Sequence, residues 1–175
     1  MRRRSALLVL LLGTTACAAP APELPPVISN RPPLRLTVGS VTVEENHPPL
    51  AEANFVDERR TKELAQAARR FLEQNVLAGG GPGSARVTIR QAGLTERLRA
   101  DRAGGVKGYV TREPTWNLDG SIGVRITIVD EAGAERSYAE ASVGRARSIR
   151  AGTGVIERDN EARELTRDLL AQLDM

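Results

Sequence analysis

The sequence predicts a two-layer α+β domain, in which a mostly antiparallel sheet of four to five strands carries two helices packed on one face. Two observations lead to this fold class. The segments 57–78 and 156–173 place their apolar residues at helical spacing along one side. Other segments alternate apolar and polar residues, which is typical of strands with one wet face. These strand segments are 34–43, 85–90, 122–128 and 136–147.

The first half of the domain is predicted to contain a helical crossover. The strand 34–43 changes parity at Gly39-Ser40, which indicates a β-bulge. The helix that follows starts with Asp57 in its first turn, where the helix dipole favours acids, and it ends at the glycine-rich run 79–83. A crossover from the first strand through this helix predicts one parallel strand pair.

The second half is predicted to be antiparallel. Segment 94–105 is charged and predicts a loop, 106–113 predicts a weaker strand, and 117–120 predicts a turn. The strand over 122–128 is the clearest in the sequence. The loop 130–134 should join it to the next strand as a hairpin, because its glycine can adopt a positive φ.

The first seventeen residues have the parts of a bacterial export signal. Arginines at positions 2–4 precede an apolar core at 6–12, which is far shorter than the roughly 20 residues that a transmembrane helix needs. The end of this segment, Thr14-Thr15-Ala16-Cys17, resembles the lipobox of bacterial lipoproteins. That resemblance implies a signal peptide over 1–16 and a fatty-acyl anchor of the palmitate type on Cys17. An ordinary signal cut after Ala18 is the alternative.

A proline-rich tether follows the cysteine. Six of the ten prolines lie between residues 18 and 33, so this stretch should be extended and semi-rigid, with a reach of about 50 Å. We therefore expect three parts: the signal at 1–16, the lipid-attachment cysteine and tether at 17–33, and one domain at 34–175. Without residues 1–16 the 25 basic residues fall to 22 and equal the 22 acidic ones. This balance argues against a nucleic-acid partner.

No catalytic, cofactor or metal site is predicted. The one histidine, His47, lies in a loop, no Gly-x-Ser-x-Gly elbow surrounds a serine, and the glycine-rich run lacks the lysine of a P-loop. Acidic pairs fall at the ends of predicted elements, where solvated acids are ordinary. Candidate contacts to lipid phosphates or to an acidic partner are arginines on two strands, although these could also form the wet face of the sheet. Trp116 is a candidate interface anchor or a cap on the core. The candidate contact residues are Arg86, Arg90, Trp116, Arg145, Arg147 and Arg150.

An anchor at Cys17, a proline-rich tether and a small α+β domain together resemble the envelope lipoproteins of Gram-negative bacteria. These include lipopolysaccharide-assembly lipoproteins and the auxiliary lipoproteins of ABC-type lipid transporters. The resemblance implies an outer-membrane location facing the periplasm, because Ala18 is not the aspartate that causes inner-membrane retention in enterobacteria. It also implies a non-enzymatic, partner-binding or auxiliary role, with the membrane and an envelope protein as partners. Two other functions stay open: a soluble periplasmic hydrolase that uses His47 or an acidic pair, and a structural envelope protein.

Overall fold

A computed structural model describes residues 29, 31–47, 55–56, 58–99, 115–150 and 152–174. The expected features at Cys17, in the tether up to residue 28 and in the weaker strand 106–113 lie outside these residues. In chain order, the elements are β1 (Leu34–Leu36), β2 (Ser40–Glu45), β3 (Phe55–Val56), α1 (Glu58–Asn75), β4 (Val76–Ala78), β5 (Ser84–Arg99), β6 (Thr115–Val129), β7 (Glu135–Arg150) and α2 (Val155–Leu173).

The main sheet has the strand order β2-β5-β6-β7, and the predicted α+β class is confirmed. β2 runs parallel to β5, as the crossover through α1 predicts, whereas the pairs β5–β6 and β6–β7 are antiparallel. The short β3 pairs antiparallel with the end of β5, with Phe55 opposite Glu96. β1 and β4 form a separate parallel pair.

Both helices pack on one face of this sheet, and the core lies between the two layers. Leu64 and Phe71 of α1 meet the inward side chains of β5, and Leu165 and Leu169 of α2 lie over β6. α2 comes unusually close to the sheet at Gly120, where an added Cβ would lie 2.7 Å from Leu169 Cδ1. Among the described residues, no helix combines the length and hydropathy that crossing a membrane requires.

The predicted bulge at Gly39-Ser40 is instead a break between two strands. The Val38 amide donates to the Leu36 carbonyl at 2.8 Å, and the Gly39 amide donates to Gly83 at 3.0 Å. This turn moves the chain from β1, which pairs with β4, to β2, which pairs with β5. The same pairing shortens the helix: α1 ends at Asn75 rather than at residue 78, because the next three residues form β4 beside β1.

Two predicted irregular segments are regular strand. Residues 94–99 continue β5, and the predicted turn 117–120 lies inside β6, paired with the same part of β5. The helix layer covers both, and Leu94 and Leu118 are fully buried. The predicted hairpin at 130–134 is confirmed, with the Asp130 amide donating to the Ala134 carbonyl at 2.9 Å and Gly133 at φ 84°.

Candidate functional site

The described residues form an apolar groove between the helix layer and the sheet. Its floor is formed by paired residues of the sheet, with Val124 and Ile126 on β6 opposite Ala141 and Ala139 on β7. Paired residues of antiparallel strands share a face, so all four side chains point toward the helix layer. The cavity above them has a volume of about 360 Å³. This lies within the range of pockets that hold small ligands.

The walls of the groove are the last turns of both helices and the segment that leads into β1. α1 contributes Phe71 and Leu72, α2 contributes Leu173, and the N-terminal segment contributes Pro32 and Leu34. They line the groove because the apolar stripes that fix both helices to the sheet continue to their C-terminal ends. The groove therefore presents mainly aliphatic and aromatic surface.

Polar groups at the rim are engaged with one another. The Ser29 hydroxyl lies 2.8 and 2.9 Å from the two carboxylate oxygens of Asp174, to which it donates, and the Arg31 amide donates to Ser29 Oγ at 3.0 Å. Glu140 accepts hydrogen bonds from Arg90 at 2.9 Å and Arg125 at 3.3 Å. The contact between Ser29 and Asp174 fixes the end of the predicted tether to the end of α2, directly at the groove.

A buried ion network joins the other ends of the two helices. Arg60, near the start of α1, donates to Glu96 of β5 at 2.6 Å and to Asp159 of α2 at 2.7 Å. The side chains of Arg60 and Glu96 are 8% and 7% exposed. Burial opposes ionisation of Asp159, but the hydrogen bond from Arg60 and the charges of Arg59 and Arg60 outweigh it and lower the pKa of Asp159 below its ordinary value.

Sequence reasoning missed both features. Arg60 occupies a position on the apolar stripe of α1, four residues before Leu64, and Glu96 follows Leu94 on the inward face of β5. A charged residue on each of two apolar faces is a signal that would have identified this network. The groove has no comparable signal, because it depends on where α1 and α2 end above the sheet.

The predicted contact residues lie in separate places. Arg86 and Arg90 project from the outer face of β5, where Arg86 pairs with Glu44 at 3.2 Å and Arg90 pairs with Glu140 at 2.9 Å. Trp116 is partly buried and packs against the core, with the Arg158 guanidinium 5.8 Å from its ring centroid. This packing agrees with the alternative that Trp116 caps the core.

The three arginines at the end of β7 also separate. Arg147 turns toward α2, where it bonds to three carboxylates, those of Glu161 at 2.8 Å, Glu164 at 2.7 Å and Asp168 at 2.9 Å, and these bonds raise its pKa. Arg145 donates to Gln172 of the same helix at 3.2 Å. Arg150 is exposed at the last position of the strand. A contact of any of these residues with a partner or lipid stays a prediction.

The histidine and the acidic pairs have ordinary surroundings. His47 Nε2 lies 3.9 Å from Glu45 Oε2, just beyond the end of β2. Asp130 pairs with Arg136 at 2.7 Å beside the hairpin loop. Within the part of the chain that the structure describes, no three His, Cys, Asp or Glu side chains are grouped as metal ligands.

The described fold resembles that of bacterial envelope lipoproteins at low sequence identity. No protein-family model and no curated protein matches the sequence. One similar solved structure is the minor lipoprotein from Acinetobacter baumannii, with 13% identity, a TM-score of 0.40, and coverage of 75% of this chain and 87% of that chain. Another is the rare lipoprotein B from Shewanella oneidensis, with 12% identity, a TM-score of 0.39, and coverage of 77% and 87%.

A third similar structure is a putative neuraminyllactose-binding hemagglutinin homolog from Helicobacter pylori, with 12% identity, a TM-score of 0.46, and coverage of 89% of this chain and 84% of that chain. At these identities and TM-scores the likeness concerns the broad arrangement of strands and helices, and it says nothing about ligands or partners.

Proposed function

We propose that this protein is a non-enzymatic lipoprotein, anchored to the outer membrane through Cys17 and facing the periplasm. Its domain binds an apolar part of a lipid or of an envelope protein, as an auxiliary subunit in envelope lipid or lipopolysaccharide transport. The observation that carries this proposal is the apolar groove over Val124, Ile126, Ala139 and Ala141. Such a surface recognises hydrocarbon through burial, which contributes about 25 cal/mol per Å² of apolar area removed from water.

The position of the groove supports a role close to the membrane. Ser29 is bonded to Asp174 at the groove rim, so only the residues from 18 to 28 separate the rim from Cys17. At about 3.1 Å per residue, an extended chain of that length spans roughly 37 Å. A lipid anchor on Cys17 would thus hold the groove within reach of the bilayer surface.

The electrostatics of the ion network argue against a general acid among its carboxylates. A general acid needs a carboxyl group whose pKa is raised toward the working pH. The pKa of Asp159 is instead lowered, chiefly by its arginine neighbours acting against burial, and Glu96 is bonded to Arg60 at 2.6 Å. Through Arg60, these two carboxylates connect α1 to β5 and to α2.

Photocrosslinking in cells tests the groove. A benzophenone amino acid at Ala139 would sit on the groove floor, and the same group at Ala146 would sit on the outer face of the same strand. We expect the Ala139 probe to capture lipid, lipopolysaccharide or an envelope protein that the Ala146 probe does not capture. If both probes capture nothing, or the same molecules equally, the groove is not the binding site.

The anchor is tested separately. Mass spectrometry of the mature N-terminus should find an acylated Cys17, and Cys17→Ser should move the protein from the outer-membrane fraction to the soluble periplasmic fraction. An unmodified N-terminus that begins after Ala18 would contradict the anchored form of the proposal.

A further inference from the structure

Among the described strands, the last strand of the sheet has a long edge without a pairing partner. β7 runs from Glu135 to Arg150 over 16 residues and pairs only with β6 among the described strands. It contains no proline, and its pairing with β6 has one register shift, at Ile128/Val129, beside the hairpin. Such an edge presents a row of free backbone donors and acceptors, which is a template for pairing with another strand.

The half of β7 nearest the hairpin carries small and apolar side chains. Ala139, Ala141 and Val143 face the helix layer; Ala139 and Ala141 are exposed, and Val143 is half-buried against the core. α2 contacts β7 further along, at Arg145 and Arg147. An apolar stripe thus runs along the open half of the edge and continues the floor of the groove.

We propose that β7 pairs antiparallel with β7 of a second copy of this chain, about a two-fold axis at Ala141. In this register Ala141 lies beside its own counterpart and Ala139 lies beside Val143, so the apolar stripe continues from one copy into the other. On the outer face Tyr138 lies opposite Gly144. Tyr138 is 60% exposed, and an aromatic ring beside a strand glycine is a favourable cross-strand pair.

The charges along β7 favour the same register. Pairing over 137–145 places no two like charges opposite each other. An axis at Ser142 would interrupt the apolar stripe by setting Arg145 opposite Ala139, and an axis at Val143 would set two like charges, Arg136 and Arg150, opposite each other. Like charges directly opposite each other destabilise a strand pair.

The helix layers fit this arrangement. The part of β7 that carries α2 lies opposite the part of the second copy that α2 leaves open, so the two copies of α2 lie on opposite sides of the axis. The two sheets become continuous, and the two grooves face each other across the axis. This assembly does not depend on what the groove binds.

A cysteine at the axis tests the assembly in the full chain. Directly opposite residues in an antiparallel pair have Cα atoms about 4.5–5.5 Å apart, which suits a disulfide. We expect Ala141→Cys to give a disulfide-linked species of twice the monomer mass on a non-reducing gel. The wild-type chain, whose only cysteine is Cys17, gives the background.

The matched control is Ala146→Cys, on the outer face of the same strand. In the proposed register its two copies are separated by ten residue positions, about 33 Å, so crosslinking should stay at the wild-type level. The proposal is overturned if Ala141→Cys also stays at that level, if both variants crosslink equally, or if Ala141→Cys crosslinks only to a different protein.

Discussion

Replacing Arg60 with methionine should be the most damaging single change to the buried ion network. Methionine fills much of the same volume but leaves Glu96 without the guanidinium that lies 2.6 Å away. Because the Glu96 side chain is 7% exposed, water cannot replace this partner. Removing one member of a buried ion pair typically costs about 3–5 kcal/mol. That is a large part of the roughly 5–15 kcal/mol that stabilises a domain of this kind.

Urea unfolding measures this effect, and Arg59→Met is the matched control. Arg59 is the preceding residue and bonds to the same carboxylate, Asp159, at 2.9 Å, but its side chain is 57% exposed. An exposed pair of this kind contributes about 0–1 kcal/mol. The midpoint for Arg60→Met should therefore fall well below that for Arg59→Met, with similar slopes.

The double variant Arg60→Met/Glu96→Leu tests the cause. If the loss comes from an unpaired buried carboxylate, removing that carboxylate should restore most of the stability, since apolar groups can replace a buried pair at little cost. Equal midpoints for Arg60→Met and Arg59→Met would refute the reasoning. A double variant no more stable than Arg60→Met alone would refute it as well.

Three further predictions concern other parts of the helix layer. Gly120→Ala should destabilise the domain by about 1–3 kcal/mol in urea unfolding, because the added methyl group meets α2 in the packed core. The control Gly144→Ala should not destabilise it, because a Cβ there would lie 3.8 Å from its nearest neighbour, the Gly120 carbonyl oxygen. Arg147→Ala should lower the free energy of unfolding by about 1–2 kcal/mol, because it leaves three carboxylates of α2 close together without their arginine. This loss should exceed that of Arg145→Ala, and equal losses for the two variants would contradict the reasoning. The lowered pKa of Asp159 means that its ionised form stabilises the fold above its unfolded pKa of about 3.9, and that this stabilisation is lost as the pH falls through the lower folded value. Stability measured against pH should therefore converge for wild type and Asp159→Asn in acid, and a constant difference down to pH 2 would argue against the shift.

Local pattern predicted the elements that have one apolar and one polar face. The alternation over 122–128 and the glycine at position 133 identified a strand and its hairpin, and both are present. The same rule failed for 94–99, where charged residues occur on both faces. Glu96 points inward and is neutralised by Arg60, which is 36 residues earlier in the chain. The local pattern shows a charged residue on each of two apolar faces, but it does not show that these two residues pair with each other over that separation.

The end of α1 was mispredicted for a related reason. Val76, Leu77 and Ala78 are compatible with a helix, and a helix over 57–78 fits the sequence. The three residues extend instead because β1 offers backbone partners beside them, with Leu34 opposite Val76. Tertiary context overrides helix propensity here, since that propensity amounts to less than about 1 kcal/mol per residue.

Candidate contact residues were chosen as arginines on strands, and the structure shows why such a choice is coarse. A strand places alternate side chains on opposite faces, so Arg145 and Arg147 face α2 while Arg150 ends on the other side. The alternation of residues along the last strand, which is visible in the sequence, is enough to assign these arginines to opposite faces of the sheet. It did not contain the position of α2, whose acids at Glu161 and Glu164 determine what Arg147 binds.

The ion network and the groove are two ends of one arrangement. Both helices start at the network and finish at the groove, and the polar end joins them through Arg60, Glu96 and Asp159. From Arg60 to Phe71 is about 16 Å along α1 at 1.5 Å per residue. Charges can hold the helices at one end without filling the space between them at the other.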